Sequence, residues 1–434
     1  MEWYTAALLI MGAFLVLLAI GMPISFSFAV VGAGGLLLMK GPQYLSRLPQ
    51  VAHESVNSFV LTAIPLFILM AEILAFTGIS GDLFTAVERW LGRLPGGLAV
   101  SSILACAGFG AVSGSSAATA AAIGSVAMPE MLKRGYSKSL AAGAVSTGGT
   151  LGLMIPPSLS FIIYGFMAQQ SIPKLFIAGI IPGVILAIIF SIYILVHCSI
   201  DRRLAPLSVS STWGQRVSSV LRVWPILLLA AIIMVGIYRG WFTPTEAAAA
   251  GVVVVLCYAA IYRKLTWQNL KGALLRTAVT SGFILFIIIG AMSFATLLAQ
   301  MRIPRELSQA LTQSGASPLM VFVGVVILYF ILGMFMEGVS IMTLTIPIIV
   351  PVMAAMGYDL IWFGVIVTLL VELALITPPV GVNCFVIAGI AKPLGVSLEE
   401  TFKGIIPYVF LMLIGVALFT AYPQIATWLP SAMK

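Results

Sequence analysis

Stretches without a single charged residue recur along the whole chain: Trp3–Met39, Leu94–Pro129, Ser139–Pro173, Leu175–Ile200, Val223–Tyr238, Ala247–Tyr262, Thr277–Met301, Leu307–Met336 and Gly404–Met433. About 20 apolar residues cross a bilayer as one helix. The pattern therefore predicts a bundle of membrane helices, with spans near 5–20, 23–39, 58–78, 224–238 and 244–262. Nothing alternates with the period of two over about ten residues that a membrane β-barrel requires. Between 80 and 93, Phe84, Val87 and Leu91 share one face while Asp82, Glu88 and Arg89 lie on others, which predicts a helix lying along the membrane surface. No basic region precedes the first apolar run and no small-residue cleavage pattern follows it, so the run is expected to be a retained first helix.

Lys and Arg collect in the loops that face the cytoplasm. The richest segments are Asp201–Arg222 and Arg263–Arg276. An even number of helices separates them, and counting back places the N-terminus outside. Both mouths of Leu94–Pro129 are basic, with Arg89 and Arg93 before it and Lys133, Arg134 and Lys138 after it. A segment that enters and leaves on one side must turn back midway, where Gly110–Ser116 supplies small, hydroxyl-bearing residues. Residues 318–353 have almost no charge at their mouths, so that hairpin is expected to enter from outside. The competing reading of each segment is one long tilted helix.

An internal repeat favours the hairpins. Pro129, Met131, Gly135 and Tyr136 recur 222 positions later as Pro351, Met353, Gly357 and Tyr358, and Pro156-Pro157 recurs as Pro378-Pro379. Gly179-Ile180-Ile181-Pro182 recurs 225 positions later as Gly404-Ile405-Ile406-Pro407. The loop charges give the two halves opposite orientation. An inverted repeat with proline-interrupted helices points to a secondary transporter whose site lies near the bilayer midplane.

Proline removes an N–H and clashes with the preceding turn, so helices must open at both Pro-Pro pairs. Opening frees carbonyls before the break and N–H groups after it, tolerable in a membrane only where they line a cavity or find partners. Freed carbonyls suit a hard cation. The N-terminus of the next half-helix, near Ser158, suits an anion. The competing reading is a bare proline kink. Hydroxyls near the first break come from Ser113, Ser115, Ser116 and Thr150, with backbone oxygen from the Gly152 region. Glu337, Thr377 and Asn383, with Gly338 and Gly381, stand near the second. Glu72, Glu337 and Glu372 are the acids expected within the membrane. For Glu72 and Glu372 a structural role stands beside a functional one, whereas Glu337 sits at the second hairpin tip.

Composition agrees: of 434 residues 61% are hydrophobic and 8% charged, too few charges for a soluble surface of this size. The net charge of +8 lies in loops and forms no stripe for nucleic acid. Cys106, Cys198, Cys257 and Cys384 stand singly among apolar residues, without metal or disulfide spacing. No G-x-x-x-x-G-K-[ST] sequence occurs, which argues against ATP hydrolysis. An intramembrane serine hydrolase built on Ser113–Ser116 would need a base, and His53 and His197 read as interface residues.

The pieces AVSGSSAATAAA, GGTLGLMIPPS, GMFMEG and LITPPVGVN, in that order, resemble the large membrane subunit of TRAP (tripartite ATP-independent periplasmic) transporters over essentially the whole chain. The family often has Asp where Glu337 stands. The resemblance implies sodium-driven import by an elevator-like movement in a bacterial or archaeal inner membrane, with no cofactor beyond the coupling ion. It implies as partners a small membrane subunit of about four helices and a periplasmic substrate-binding protein that delivers an organic acid. Carried onto this chain, it puts one sodium site at Ser113, Gly114, Ser115, Ser116, Thr150, Gly152 and Pro156. It puts a second at Glu337, Gly338, Thr377, Pro378, Gly381 and Asn383. Substrate is expected between the tips, near Ser116, Ser158 and Asn383.

The expected fold is thus an all-α polytopic membrane protein: an inverted-topology repeat with two re-entrant hairpins and two broken helices, of the elevator type. An N-terminal helix pair and interfacial segment (1–57) precede repeat 1 (58–200), with its hairpin at about 95–133 and broken helix at about 138–170. A loop and two scaffold helices (201–276) lead to repeat 2 (277–434), with its hairpin at about 318–353 and broken helix at about 360–391. The alternatives to a TRAP subunit are a stand-alone sodium–anion symporter that needs no binding protein and, from another class, a passive anion channel.

Overall fold

A computed structural model describes residues 2–206 and 211–433, and these contain helices and turns but no strand. The first half begins with α1 (Trp3–Ala19), α2 (Ile24–Lys40), the short α3 (Arg47–Val56), α4 (Ala63–Thr77) and α5 (Ile79–Leu91). It continues through α6 (Gly97–Ser113), α7 (Ser116–Lys133), α8 (Lys138–Met154), α9 (Leu159–Met167) and α10 (Ile172–Ile200). The second half begins with α11 (Trp213–Tyr238), α12 (Pro244–Ile261), α13 (Trp267–Gln300) and α14 (Ile303–Gln313). It ends with α15 (Pro318–Gly333), α16 (Gly338–Ala355), α17 (Leu360–Ile376), α18 (Val382–Ala391), α19 (Leu398–Ala421) and α20 (Gln424–Ser431). Among the described residues seven helical stretches are long and apolar enough to cross a membrane singly. The chain is a polytopic helical membrane protein.

Both predicted turn-backs are hairpins. In the first, the Tyr136 hydroxyl just past α7 accepts from the Leu98 N–H at the start of α6, at 3.2 Å. Entrance and exit therefore adjoin, and only Gly114 and Ser115 separate the two arms. In the second, the Tyr329 and Thr345 hydroxyls of α15 and α16 meet at 2.5 Å, and Phe322 packs on Tyr358 beyond the exit.

Both Pro-Pro pairs interrupt helices. The axis bends by 43° between α8 and α9, and the second break runs from Thr377 to Gly381 between α17 and α18. Both Pro-Pro bonds are cis. The repeat is visible residue for residue: α16 and α17 occupy the positions of α7 and α8 shifted by 222.

The two broken segments run antiparallel. Following the first from its beginning, Lys138 donates to the Gly395 carbonyl and the Ser146 carbonyl accepts from Asn383. Farther on, Met154 adjoins Glu372, and the Tyr164 hydroxyl donates to the Leu360 carbonyl. The partners thus descend in number as the first segment ascends, which is the inverted relation expected from the loop charges. Packing is exchanged in the same sense: α9 lies on α16 while its counterpart α18 lies on α7, and α2 lies on α13 while α12 lies on α4.

Several helices exceed the charge-free runs that predicted them. The span expected at 224–238 begins at Trp213, where Thr212 and Gln215 form a reciprocal capping box. The run starting at Thr277 is the end of a 34-residue helix that begins at Trp267, capped by Thr266. Charge marks where a helix leaves hydrocarbon, whereas the cap marks where its hydrogen bonding stops.

Candidate functional site

Four helix ends converge at the first hairpin tip. Gly114 takes the left-handed conformation that ends α6, and the Ser115 side chain caps α7 by accepting from the Ala118 N–H. Across from them α8 stops at Met154, and Ser158 caps α9 by accepting from the Phe161 N–H. The Gly114 carbonyl accepts from the Leu159 N–H at 3.3 Å, which stitches the tip to the break. Close approach depends on glycine: a Cβ on Gly152 would lie 2.7 Å from the Thr119 hydroxyl and 3.0 Å from the Ser115 carbonyl.

Such an arrangement is polarised. The ends of α6 and α8 bring carbonyls without intrahelical partners, whereas the starts of α7 and α9 bring N–H groups. A cation is favoured beside the first kind of end and an anion beside the second. The Thr150 hydroxyl donates to the Thr147 carbonyl at 2.7 Å, so its lone pairs face elsewhere. The side-chain oxygens of Ser113, Thr119 and Thr147 are buried without any hydrogen-bond partner. Unpaired buried oxygens cost free energy unless a ligand, ion or water satisfies them.

The second tip repeats the plan with different side chains. Glu337 caps α16: one carboxylate oxygen accepts from the Ser340 N–H and hydroxyl at 2.9 and 2.7 Å, and the other from the Val339 N–H at 3.0 Å. It stands where Ser115 stands in the first repeat. Gly333 and Gly338 press the hairpin onto the α17 turn containing Val371 and Ala374. The Thr377 hydroxyl donates to the Leu373 carbonyl at 2.6 Å, mirroring the geometry of Thr150. Pro378 lies inside the break, and Gly381 begins α18 with φ of 44°.

Asn383 crosses between the repeats. Its amide donates to the Ser116 hydroxyl at 2.6 Å and to the Ser146 carbonyl at 3.0 Å, while its carbonyl oxygen is buried and unpartnered. Ser116, Ser146 and Asn383 therefore form one interior cluster. Sequence reasoning missed Thr119, Thr147 and Ser146. Helical spacing held the signal, since Thr119 lies one turn after Ser116, and Ser146–Thr147 one turn before Thr150.

The other suspected acids fall apart in role. Glu72 pairs with the Arg276 guanidinium at 2.5 Å, with 23% of its side chain exposed. Glu372 is fully buried in α17 against the Met154 backbone, and it occupies the repeat position of Thr150. All four cysteines are free.

Two hairpin tips thus lie against two broken helices in an inverted repeat, an arrangement that suits a membrane transport protein. Residues 11–425 match the family described as "Tripartite ATP-independent periplasmic transporter, DctM component". The chain belongs to this family, as a large membrane subunit. It is 35% identical to the C4-dicarboxylate TRAP transporter large permease protein DctM of Pseudomonas aeruginosa, covering 93% of this chain and 94% of that one. It is 33% identical to the ectoine TRAP transporter large permease protein TeaC of Halomonas elongata, covering 95% and 96%. The fold is similar to that of the YdaH transporter of Alcanivorax borkumensis, with a TM-score of 0.57 at 14% identity over 91% of this chain and 90% of that one. The chain is a transport protein of a three-part, ATP-independent system, and not an enzyme.

Proposed function

We propose that this chain carries a small organic anion inward across the cytoplasmic membrane, driven by sodium ions bound at the two tip-and-break sites. A small membrane subunit and a periplasmic binding protein complete the system, and the N-terminus lies outside. The reading rests on the convergence of carbonyl-bearing helix ends with buried, unpartnered oxygens at the first tip. Sodium asks for several neutral oxygens, and helix C-termini add the negative potential that makes neutral ligands sufficient.

The first ion is assigned to Ser113, Gly114, Ser115, Ser116, Thr150, Gly152 and Pro156, with Thr119 and Thr147 added from the geometry. The second is assigned to Glu337, Gly338, Thr377, Pro378, Gly381 and Asn383. Cargo lies between, at Ser116, Ser158 and Asn383, where the α7 and α9 N-termini favour a negative group. Among the relatives, one is named for C4-dicarboxylates and another for ectoine.

Charge arithmetic asks for more than one ion. Each net positive charge moved inward gains about 2.3 kcal/mol per 100 mV, and a monoanion loses the same amount. Two sodium ions per monoanion leave one net positive charge.

The test is uptake into proteoliposomes that hold this chain with both partners. An inward sodium gradient is expected to drive accumulation, and an inside-negative potential to accelerate it. Accumulation indifferent to the sodium gradient would remove the proposal. Uptake by this chain alone would favour the symporter reading, and mere equilibration a channel.

A further inference from the structure

On the arginine-rich side of the molecule, α5 and the first turns of α11 form a compact basic and aromatic cluster. The Arg216 guanidinium lies over the Trp213 ring at 5.1 Å and the Trp90 ring at 5.9 Å, and the two indoles meet edge-to-face at 6.1 Å. Arg89 reaches across from α5, donating to the Gln215 carbonyl at 2.9 Å. Neither arginine has a carboxylate partner among the described residues, and the Arg216 Nε is buried without any partner. The neighbouring acid, Glu88, is held instead by Arg134 at 2.6 Å. Both cations therefore sit on the α5–α11 contact without a carboxylate partner among the described residues.

Below this cluster α11 presents an exposed apolar stripe of Val217, Leu221, Trp224 and Leu228, spaced so that they share one helical face. A negative group at the arginines would continue into an apolar tail along that stripe. Free phosphate matches only the first part of the surface. The site has no counterpart in the other repeat: positions matching Arg89 and Trp90 hold Leu311 and Thr312, and α1 has 17 residues against 26 in α11.

We propose that Arg89 and Arg216, framed by Trp90 and Trp213, bind the phosphate headgroup of an anionic phospholipid whose acyl chain lies along α11. Arginine suits phosphate because its planar fork donates two parallel hydrogen bonds, and indoles favour the headgroup depth. The bound lipid joins α11 to α5, the helix that leads through Gly92–Gly96 into the first hairpin, so membrane composition bears directly on that arm.

Native mass spectrometry of the full chain, titrated with phosphatidylglycerol and phosphatidylcholine of equal acyl length, tests this. Retention of phosphatidylglycerol is expected to exceed that of phosphatidylcholine about tenfold, a difference of about 1.4 kcal/mol. Arg89→Gln with Arg216→Gln is expected to erase most of that preference, while Arg305→Gln on the opposite repeat leaves it unchanged. Should the double variant fail to fold, Arg216→Lys keeps the charge without the planar fork and is expected to lower the preference severalfold. Equal retention of the two lipids in the native chain would overturn the proposal, as would an unaltered preference in the arginine variants. Displacement of phosphatidylglycerol by millimolar inorganic phosphate would show a free-anion site instead, and displacement by the small membrane subunit a protein interface. Both outcomes overturn it.

Discussion

Thr150 and Thr377 share a geometry that decides what their hydroxyls can do. Each donates its proton to a carbonyl of its own helix, at 2.7 and 2.6 Å, and so offers only lone pairs to the break. Thr150→Ala and Thr377→Ala are each expected to raise the sodium concentration for half-maximal uptake about tenfold, with folding preserved; sodium activation curves in proteoliposomes check this. Asn383 has a different task. Replacing it with Leu leaves the Ser116 hydroxyl and Ser146 carbonyl without their donor, costing about 1–3 kcal/mol, so thermal stability and transport are expected to fall together. The Thr150 and Thr377 positions were legible because each lies within a few residues of a Pro-Pro pair. Thr119, Thr147 and Ser146 were not, since threonine or serine among alanines and glycines is ordinary helix chemistry until a second helix packs against it. Asn383 was legible as a polar residue near a break, but its cross-repeat bond to Ser116 belongs to tertiary packing.

At the scale of elements, the prolines open the helices and the glycines let the opened ends approach. Gly152 brings α8 against the first tip with no room for a side chain. Gly152→Val would drive its Cβ toward the Thr119 hydroxyl and Ser115 carbonyl, and overpacking of this kind costs about 1–3 kcal/mol. Transport is expected to be lost while the membrane-inserted protein still accumulates, which quantitative immunoblotting of membranes beside uptake assays will show. The breaks were readable because the Pro-Pro pairs recur 222 positions apart, whereas single prolines such as Pro129 and Pro182 sit inside unbroken helices. Helix starts at Trp213 and Trp267 were hidden by the arginines and lysines that follow them. A basic turn at a membrane surface is still helical when a Thr caps it, and loop-counting by charge cannot see that.

At the scale of the whole molecule, the two repeats share a plan but not a setting. The first arm of hairpin 1, α6, packs against α4, α5, α8, α10 and α11, whereas its counterpart α15 rests chiefly on α16 and α17. Apolar clefts flank α15, one lined by Leu307, Leu311 and Met320 and the other by Leu319, Val323 and Leu413. We propose that the two halves exchange these settings during transport, which in an inverted repeat opens the site to the other side of the membrane. In the present state Gly108 of α6 faces Leu83 of α5, its Cβ position lying 3.3 Å from the leucine methyl. The repeat-equivalent pair is Phe330 and Arg305, on α15 and α14. With the exposed Cys257 replaced by Ser, a Phe330→Cys, Arg305→Cys protein is expected to cross-link through a short bifunctional thiol reagent only when sodium and cargo populate the exchanged state. A Gly108→Ala, Leu83→Ala background, which loosens the present pair, should raise that yield. Cross-linking that ignores sodium and cargo, measured as the band shift on denaturing gels, would mean that the gap beside α15 is a fixed feature of the fold, and the two repeats would then have diverged in structure rather than alternated in state.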